Sequence, residues 1–386
     1  MGFGKEETSG MKIVIDGRLW SESGLGRYVR NLVNELQRIN ETNEYYVLLL
    51  RKNYDTVQYY SRNFHKVLAD FKWYGVKEQI KLPKLLKELS PDLVHFPHFN
   101  VPIFFKGKFV VTIHDLIHQH FQTRETSTLN PFFHAIKKFG YKKVFSNAVK
   151  KSAKIITPSE FVKNQLIKEW GINGNKIVVT YEGVDKSVIE EIKKATEKDF
   201  IKIAEKFGIK KPYLFYIGNA QPHKNLSRLI HVFEKLKEKY PNLSLVLSGP
   251  KHIFWEKIKL ESHLEGVIFT GFVSEKEMVV LYKNAEMFVM PSLEEGFGIP
   301  ILEAMACSCP VVSSNAGSLP EVGGPSSDRA VLYFDPKNEQ DMEDKISQIL
   351  NDEKLREVLI KNGEKRYKEF NWKKLAEQTL EVYQSV

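Results

Sequence analysis

The segment Pro291-Ser-Leu-Glu-Glu-Gly-Phe-Gly-Ile-Pro-Ile-Leu-Glu303 sets two carboxylates, Glu295 and Glu303, in a Glu-x7-Glu spacing around two glycines. The apolar run Met287–Met290 precedes it and reads as a strand. Pro300 suits the first turn of a helix, so the segment reads as a strand–loop–helix corner. Gly296 and Gly298 let backbone N–H groups come close to a ligand. The helix N-terminus adds a positive field that favours phosphate. A carboxylate there is suited to accept paired hydrogen bonds from ribose hydroxyls. On residue types alone, a solvated corner carrying two acids reads equally well.

Other segments have the same strand-end character. Gly218-Asn-Ala-Gln-Pro-His-Lys224-Asn225 follows the strand Tyr213–Ile217, and a lysine there can neutralise a diphosphate as a point charge. Ser23-Gly24-Leu-Gly26-Arg27 follows the strand Lys12–Asp16, but Val29 stands where a dinucleotide fingerprint needs its third glycine, so a nicotinamide cofactor loses support. Val111-Thr-Ile-His114-Asp115 places a histidine and an acid at another strand end. Ser248-Gly249-Pro250 and Gly271-Phe272-Val273 read as turns after two further strands.

These segments need a scaffold of alternating strands and helices. In the first half, short apolar strands are expected at Lys12–Asp16, Tyr45–Leu50, Leu93–Phe96, Phe109–Ile113, Lys154–Thr157 and Ile177–Tyr181. Between the first two lies a helix expected from about Tyr28 to Ile39, with Val29, Leu32, Val33, Leu36 and Ile39 at helical spacing. A charged, helical stretch follows over residues 186–210, and the pattern then restarts. Such alternation implies parallel sheets covered on both faces, with ligands held by the loops at the strands' carboxyl ends. The length of 386 residues suits two domains of this kind. Residues 1–10 read as a disordered leader, and 372–383 as a last amphipathic helix.

No apolar run approaches the roughly 18 residues of a membrane helix. Cys307 and Cys309 are too close in sequence for a good disulfide, and they read as small packing residues. The net charge of +9 is uneven. Residues 1–185 carry 28 Lys and Arg against 18 Asp and Glu, and the remainder carries 29 against 30. The basic half suits an anionic partner. Within it, Asn130–Lys154 sets Phe132, Phe133, Ile136 and Phe139 beside Lys137, Lys138, Lys142, Lys143, Lys150, Lys151 and Lys154, a composition that can lie on an anionic membrane or pack as an ordinary surface helix.

The Glu-x7-Glu run, its continuation Glu303-Ala-Met-Ala-Cys-Ser-Cys-Pro-Val-Val312 and Leu319-Pro-Glu321 resemble the signature of the retaining glycosyltransferases of family 4. The resemblance runs from Met11 through nearly the whole chain and is strongest in the second half. It implies an α/β protein of GT-B fold, two Rossmann-like doubly wound domains facing a cleft. Residues 11–185 would form the acceptor side, joined by a C-terminal helix over 373–386, and 186–372 would bind a nucleotide sugar. The resemblance makes His114, Glu295 and Lys224 the catalytic candidates. Glu303 would hold the donor ribose, Glu295 would lie beside the donor sugar, and the amides of Phe297 and Gly298 would hold sugar hydroxyls within the loop that Gly296 and Ile299 complete. Lys224 would meet the donor diphosphate. Many members carry an arginine just after the glycine of that loop. This chain has Asn219, which leaves Arg228 and Arg27 as candidates to supply the missing charge. Gly24 and Gly26 would lie over the diphosphate, and Gly249, Phe272 and Val273 along the base and ribose. On the acceptor side, Arg27 would contact a phosphate and Asp115 would orient His114 or the acceptor.

The same resemblance implies catalysis without a metal, and the chain lacks an Asp-x-Asp. Gly-Leu-Gly-Arg-Tyr28 together with Thr-Ile-His-Asp-Leu116 resembles bacterial mannosyltransferases of surface-polysaccharide assembly. The expected donor is therefore GDP-mannose, with UDP-sugars next, and the acceptor a glycan or a lipid-linked sugar. The expected location is the cytoplasm, peripheral to the inner membrane face. The rival is a nucleotide-sugar-binding subunit without catalysis. A nucleic-acid partner would leave the Glu-x7-Glu loop unexplained, so none is expected.

Overall fold

The computed structural model describes residues 10–121, 131–261 and 265–386, and for 131–138 and 261 the backbone only. The expected leader and the side chains of Phe132, Phe133, Ile136, Lys137 and Lys138 lie outside the described residues. The chain divides into two compact units. The first comprises residues 10–116, 131–181 and 372–386. The second comprises 117–121 and 182–371, less the three undescribed positions.

In the first unit the strands are β1 (Lys12–Asp16), β2 (Glu44–Leu49), β3 (Phe64–Leu68), β4 (Leu93–Phe96), β5 (Phe109–Thr112), β6 (Lys154–Thr157) and β7 (Ile177–Val179). They run in the order β3-β2-β1-β4-β5-β6-β7. The second unit has β8 (Tyr213–Ile217), β9 (Ser244–Ser248), β10 (Val267–Gly271), β11 (Met287–Met290), β12 (Val311–Ser314) and β13 (Leu332–Phe334), in the order β10-β9-β8-β11-β12-β13. All the described strand pairs are parallel. Both are doubly wound sheets, and the strand order reverses between β1 and β4 and again between β8 and β11. At those two seams the diverging connections leave a crevice outside the carboxyl ends of the strands.

Burial explains why the strands read as apolar runs. Ile13, Val14 and Ile15 of β1 and Leu245 and Val246 of β9 have no exposed surface, as helices cover both faces. Each such side chain contributes about 1.5–3 kcal/mol by leaving water. β3 is an edge strand reading Phe-His-Lys-Val-Leu, and only its first residue is buried.

The first helix spans Gly24–Ile39, starting four residues before the expected Tyr28. Gly24, Gly26 and Arg27 therefore lie in its first turn and not in a preceding loop. Gly26 allows this, because a Cβ there would sit 2.5 Å from the Trp20 carbonyl oxygen and 2.7 Å from that of Leu19. A Cβ on Gly24 would meet open space. The expected helical stretch 186–210 forms two helices, Lys186–Lys194 and Glu197–Phe207. A capping box between Thr196 and Asp199 opens the second. The last helix, Trp372–Gln384, packs on Gly24–Ile39 in the first unit. No helix among the described residues is long and apolar enough to cross a membrane.

Candidate functional site

In the second unit, the loops after β8 and β11 flank the crevice at the strand-order reversal. The β11 loop is fixed by backbone geometry first. Gly298 takes φ +110° and caps the Ile299–Ala306 helix, with Pro300 in its first turn. A Cβ on Gly298 would lie 2.7 Å from Leu319 Cδ2. The turn after β12 braces the loop from behind. Ser318 Oγ donates to the carbonyls of Glu295 (3.0 Å) and Phe297 (2.8 Å). Gly317 is at φ +62°, where a Cβ would fall 2.7 Å from the Glu295 amide nitrogen. Gly296 and Phe297 are buried, and Phe297 packs edge-on against Phe370 at 5.8 Å.

The β8 loop is stitched to the β11 loop. The Leu293 amide donates to the His223 carbonyl (2.7 Å), and Asn225 Nδ2 donates to the carbonyls of Pro291 (3.0 Å) and Pro336 (2.9 Å). These bonds bring Lys224 Nζ to 2.6 Å from Glu295 Oε1. The two side chains are 14% and 10% exposed, so the pair is largely shielded from water. Burial pushes the Glu295 carboxyl up, but the Lys224 ammonium and the His223 ring outweigh it, and the net direction is down. Burial together with Lys224 brings the His223 imidazole down to about 4, so it is neutral at physiological pH.

The remaining second-unit candidates take distinct positions. Asn219 accepts the Gln221 amide on its Oδ1 (3.2 Å), while its carbonyl receives the Tyr216 hydroxyl (2.7 Å), so it shapes the turn. Arg228 Nη1 donates to Asn225 Oδ1 (2.8 Å) and the Pro336 carbonyl (2.9 Å), which ties it to the loop framework. Glu303 is buried, with the Tyr282 hydroxyl 3.5 Å from Oε2. Ile299 is half-buried at the helix start. Gly249 is required by packing, since a Cβ there would lie 2.0 Å from the Gly218 carbonyl oxygen. On the loop after β10, Phe272 is 78% exposed while its neighbour Val273 is buried. His120, in the short segment that belongs to this unit, bonds Glu294 through Nδ1 (2.8 Å).

In the first unit, His114 and Asp115 stand half-buried just past β5. His114 Nε2 lies 3.0 Å from the Pro97 carbonyl, which sets it as the protonated ring nitrogen when the imidazole is neutral. The Tyr28 ring meets the His114 ring edge-on at 4.8 Å. Below them runs a buried chain: Tyr28 hydroxyl to Thr112 Oγ1 (3.1 Å), Thr112 Oγ1 to His95 Nε2 (2.8 Å), and His95 Nδ1 to Tyr383 hydroxyl (2.6 Å). His95 is fully buried, which brings its imidazole down to about 3, with His114 adding to the shift. Arg27 is half-buried in the first turn of its helix. That Tyr28, Thr112, His95 and Tyr383 join in one chain is not legible in the sequence. Nothing in a linear reading joins His95 to a residue near the end of the chain. Among the described residues, no group of three or more His, Cys, Asp or Glu could hold a metal ion.

Comparison with known proteins gives this geometry its class. The family model described as Glycosyltransferase Family 4 matches residues 23–188, and that described as Glycosyl transferases group 1 matches residues 197–366. The chain belongs to this family of GT-B glycosyltransferases. It is 29% identical to the O-antigen chain mannosyltransferase B of Escherichia coli, over 77% of this chain and 75% of that protein. It is 28% identical to the O-antigen chain mannosyltransferase RfbU of Salmonella typhimurium, over 72% and 70%. Among solved structures, Anabaena HepE in complex with UDP and glucose superposes with a TM-score of 0.72 at 16% identity, over 97% of this chain and all of that one.

Proposed function

We propose that this glycosyltransferase moves a sugar from a nucleoside-diphosphate donor to a glycan or lipid-linked acceptor with retention of anomeric configuration, and that the donor is GDP-mannose. The observation that carries the reading is the shielded Lys224–Glu295 pair at 2.6 Å, set beside the N-terminus of the Ile299–Ala306 helix. Lys224 and that helix end supply positive charge where a diphosphate would gain negative charge as it departs, an electrostatic stabilisation of the transition state. Glu295, held ionised, leaves Lys224 to meet the donor sugar, and Glu303 takes the ribose. Phe272 offers an exposed ring to a base. His114, with its Nε2 on Pro97, presents its ring to the transferred sugar, and Asp115 steadies the acceptor. Arg27, at the start of its helix, meets a phosphate.

The two O-antigen mannosyltransferases support mannose as the sugar. The Anabaena protein, crystallised with UDP and glucose, keeps a UDP-sugar as the second reading. The test is thermal denaturation with GDP-mannose, UDP-glucose and UDP-N-acetylglucosamine, since the ligand bound by the native state raises the melting temperature. The anomeric configuration of the product is then read by proton NMR. A shift with GDP-mannose and an α-linked product support the reading. A larger shift with a UDP-sugar replaces the donor. Binding without transfer or donor hydrolysis, unaltered by Glu295→Ala, makes the chain a nucleotide-sugar-binding subunit.

A further inference from the structure

The last helix, Trp372–Gln384, docks on Gly24–Ile39 with one face. Its buried residues are Trp372, Leu375, Ala376, Thr379, Val382 and Tyr383, at helical spacing. Most of that face is apolar, and a phenylalanine would serve the packing at position 383. Tyr383 instead carries a hydroxyl to a place with no exposed surface, where a polar group left unpaired is costly. The hydroxyl lies 2.6 Å from His95 Nδ1, at the foot of the chain that climbs through Thr112 to Tyr28. All four residues are buried.

This chain has one direction. The buried His95 imidazole is neutral, so one ring nitrogen donates and the other accepts. Among the described residues, the Tyr383 hydroxyl bonds only His95, and the Thr112 hydroxyl bonds only His95 and Tyr28. The Tyr383 proton therefore goes to His95 Nδ1. That puts the imidazole proton on Nε2, where it is donated to Thr112 Oγ1, and it sends the Thr112 proton to the Tyr28 hydroxyl. The opposite direction would strand the Tyr383 proton in the core. One hydroxyl on the last helix thus sets the tautomer of His95 and the sense of every bond up to Tyr28.

His114 is gripped at two points, and both lead back to His95. Its ring meets the Tyr28 ring edge-on at 4.8 Å, and Tyr28 is tied to His95 through Thr112. Its Nε2 donates to the Pro97 carbonyl at 3.0 Å, and Pro97 follows His95 by two residues at the end of β4. Thr112 likewise precedes His114 by two residues at the end of β5. A shift of His95 would therefore move both the ring that His114 packs on and the oxygen that it bonds.

We infer that Tyr383 and His95 are positioning residues for His114: through Thr112 and Tyr28, the last helix holds the His114 ring in the orientation that serves sugar transfer. The inference rests on the role proposed for His114 above. It adds that this role depends on a hydroxyl supplied by a helix that follows the whole second unit in the chain.

Tyr383→Phe keeps the ring that packs and removes the proton that orders the chain. Histidine ring-nitrogen NMR of the full chain needs no substrate, and the His114 signals, assigned with His114→Ala, should shift in Tyr383→Phe. Unchanged His114 signals overturn the inference and leave the donor reading intact. Turnover of GDP-mannose and UDP-glucose gives the second readout. Tyr383→Phe should lower kcat by about tenfold, the size of one lost hydrogen bond, with donor KM unchanged. In a His114→Ala background it should cost nothing more, because a residue that acts through His114 has nothing left to act on. A further loss in that background overturns the inference. Leu375→Ala loosens the same helix without touching the chain, so it should lower the melting temperature and leave kcat near wild type. If it slows turnover as much as Tyr383→Phe, the helix only braces the fold and the inference falls. A His114→Ala protein that works at the wild-type rate sinks the role of His114 itself, and the inference with it.

Discussion

Lys224 and Glu295 were each singled out from the sequence, and the fold sets them against one another. Their close contact has two separable consequences. A shielded ion pair adds little net stability, but removing one partner strands a charge and costs about 3–5 kcal/mol. Lys224→Met should therefore lower the chemical-denaturation midpoint strongly. The double variant Lys224→Met with Glu295→Gln should recover most of that loss while donor binding and transfer stay abolished. Recovery of transfer along with stability would show that the pair acts only as a brace. The motifs at strand ends were legible as strand–loop–helix corners because glycine, proline and charge recur there at fixed spacing. Arg228 also takes a role that a linear reading does not give: its Nη1 bonds Asn225 three residues away and the Pro336 carbonyl 108 residues on.

At the level of elements, alternation of apolar runs carried the doubly wound reading of both sheets, which the structure bears out. What it missed had weak periodicity. β3 interleaves His65 and Lys66 with apolar residues, as an edge strand can. The Val76–Leu89 helix contains Pro83 and exposes Val76 and Ile80, so it gave little sign of a buried face. That helix nonetheless contributes Glu78 to the buried ion network of Arg18 and Asp16. The last helix has a measurable role of its own through Tyr383 and His95. His95 stays neutral in the folded state down to pH of about 3, whereas in the unfolded chain it takes a proton near 6.5. The unfolded state therefore binds more protons between those values, and stability must fall as pH falls through this window. His223, brought down to about 4, acts in the same direction. Each group contributes a slope of about 1.4 kcal/mol per pH unit. Urea titrations between pH 6.5 and 4 should show that slope reduced by about one proton in His95→Gln. An unchanged slope would mean that His95 is already protonated in the native protein.

At the scale of the whole molecule, charge is divided as well as fold. The excess of basic residues falls in the first half of the sequence, where Phe139 is exposed beside Lys142 and Lys143, and Phe104 beside Lys106. The proposed lipid-linked acceptor and these residues together predict a peripheral stay on an anionic membrane. In vesicle sedimentation, the protein should bind phosphatidylglycerol-containing vesicles at low salt and leave them as salt rises to about 0.5 M, because surface attraction is screened. Equal binding to purely zwitterionic vesicles would set the charge argument aside.

The return of Trp372–Gln384 to the first unit also has a meaning in time. The bond from His95 to Tyr383 joins residues 288 positions apart, with the whole second unit between them. A ribosome delivering this chain releases β1 to β7 first, yet the helix that covers Gly24–Ile39 emerges only after residues 182–371. The second unit, apart from residues 117–121, is continuous in the chain and all of it precedes that helix, so it can close before the first is complete. The first half must wait through that interval with part of its core uncovered, until a helix made after the second unit returns to seal the domain begun first.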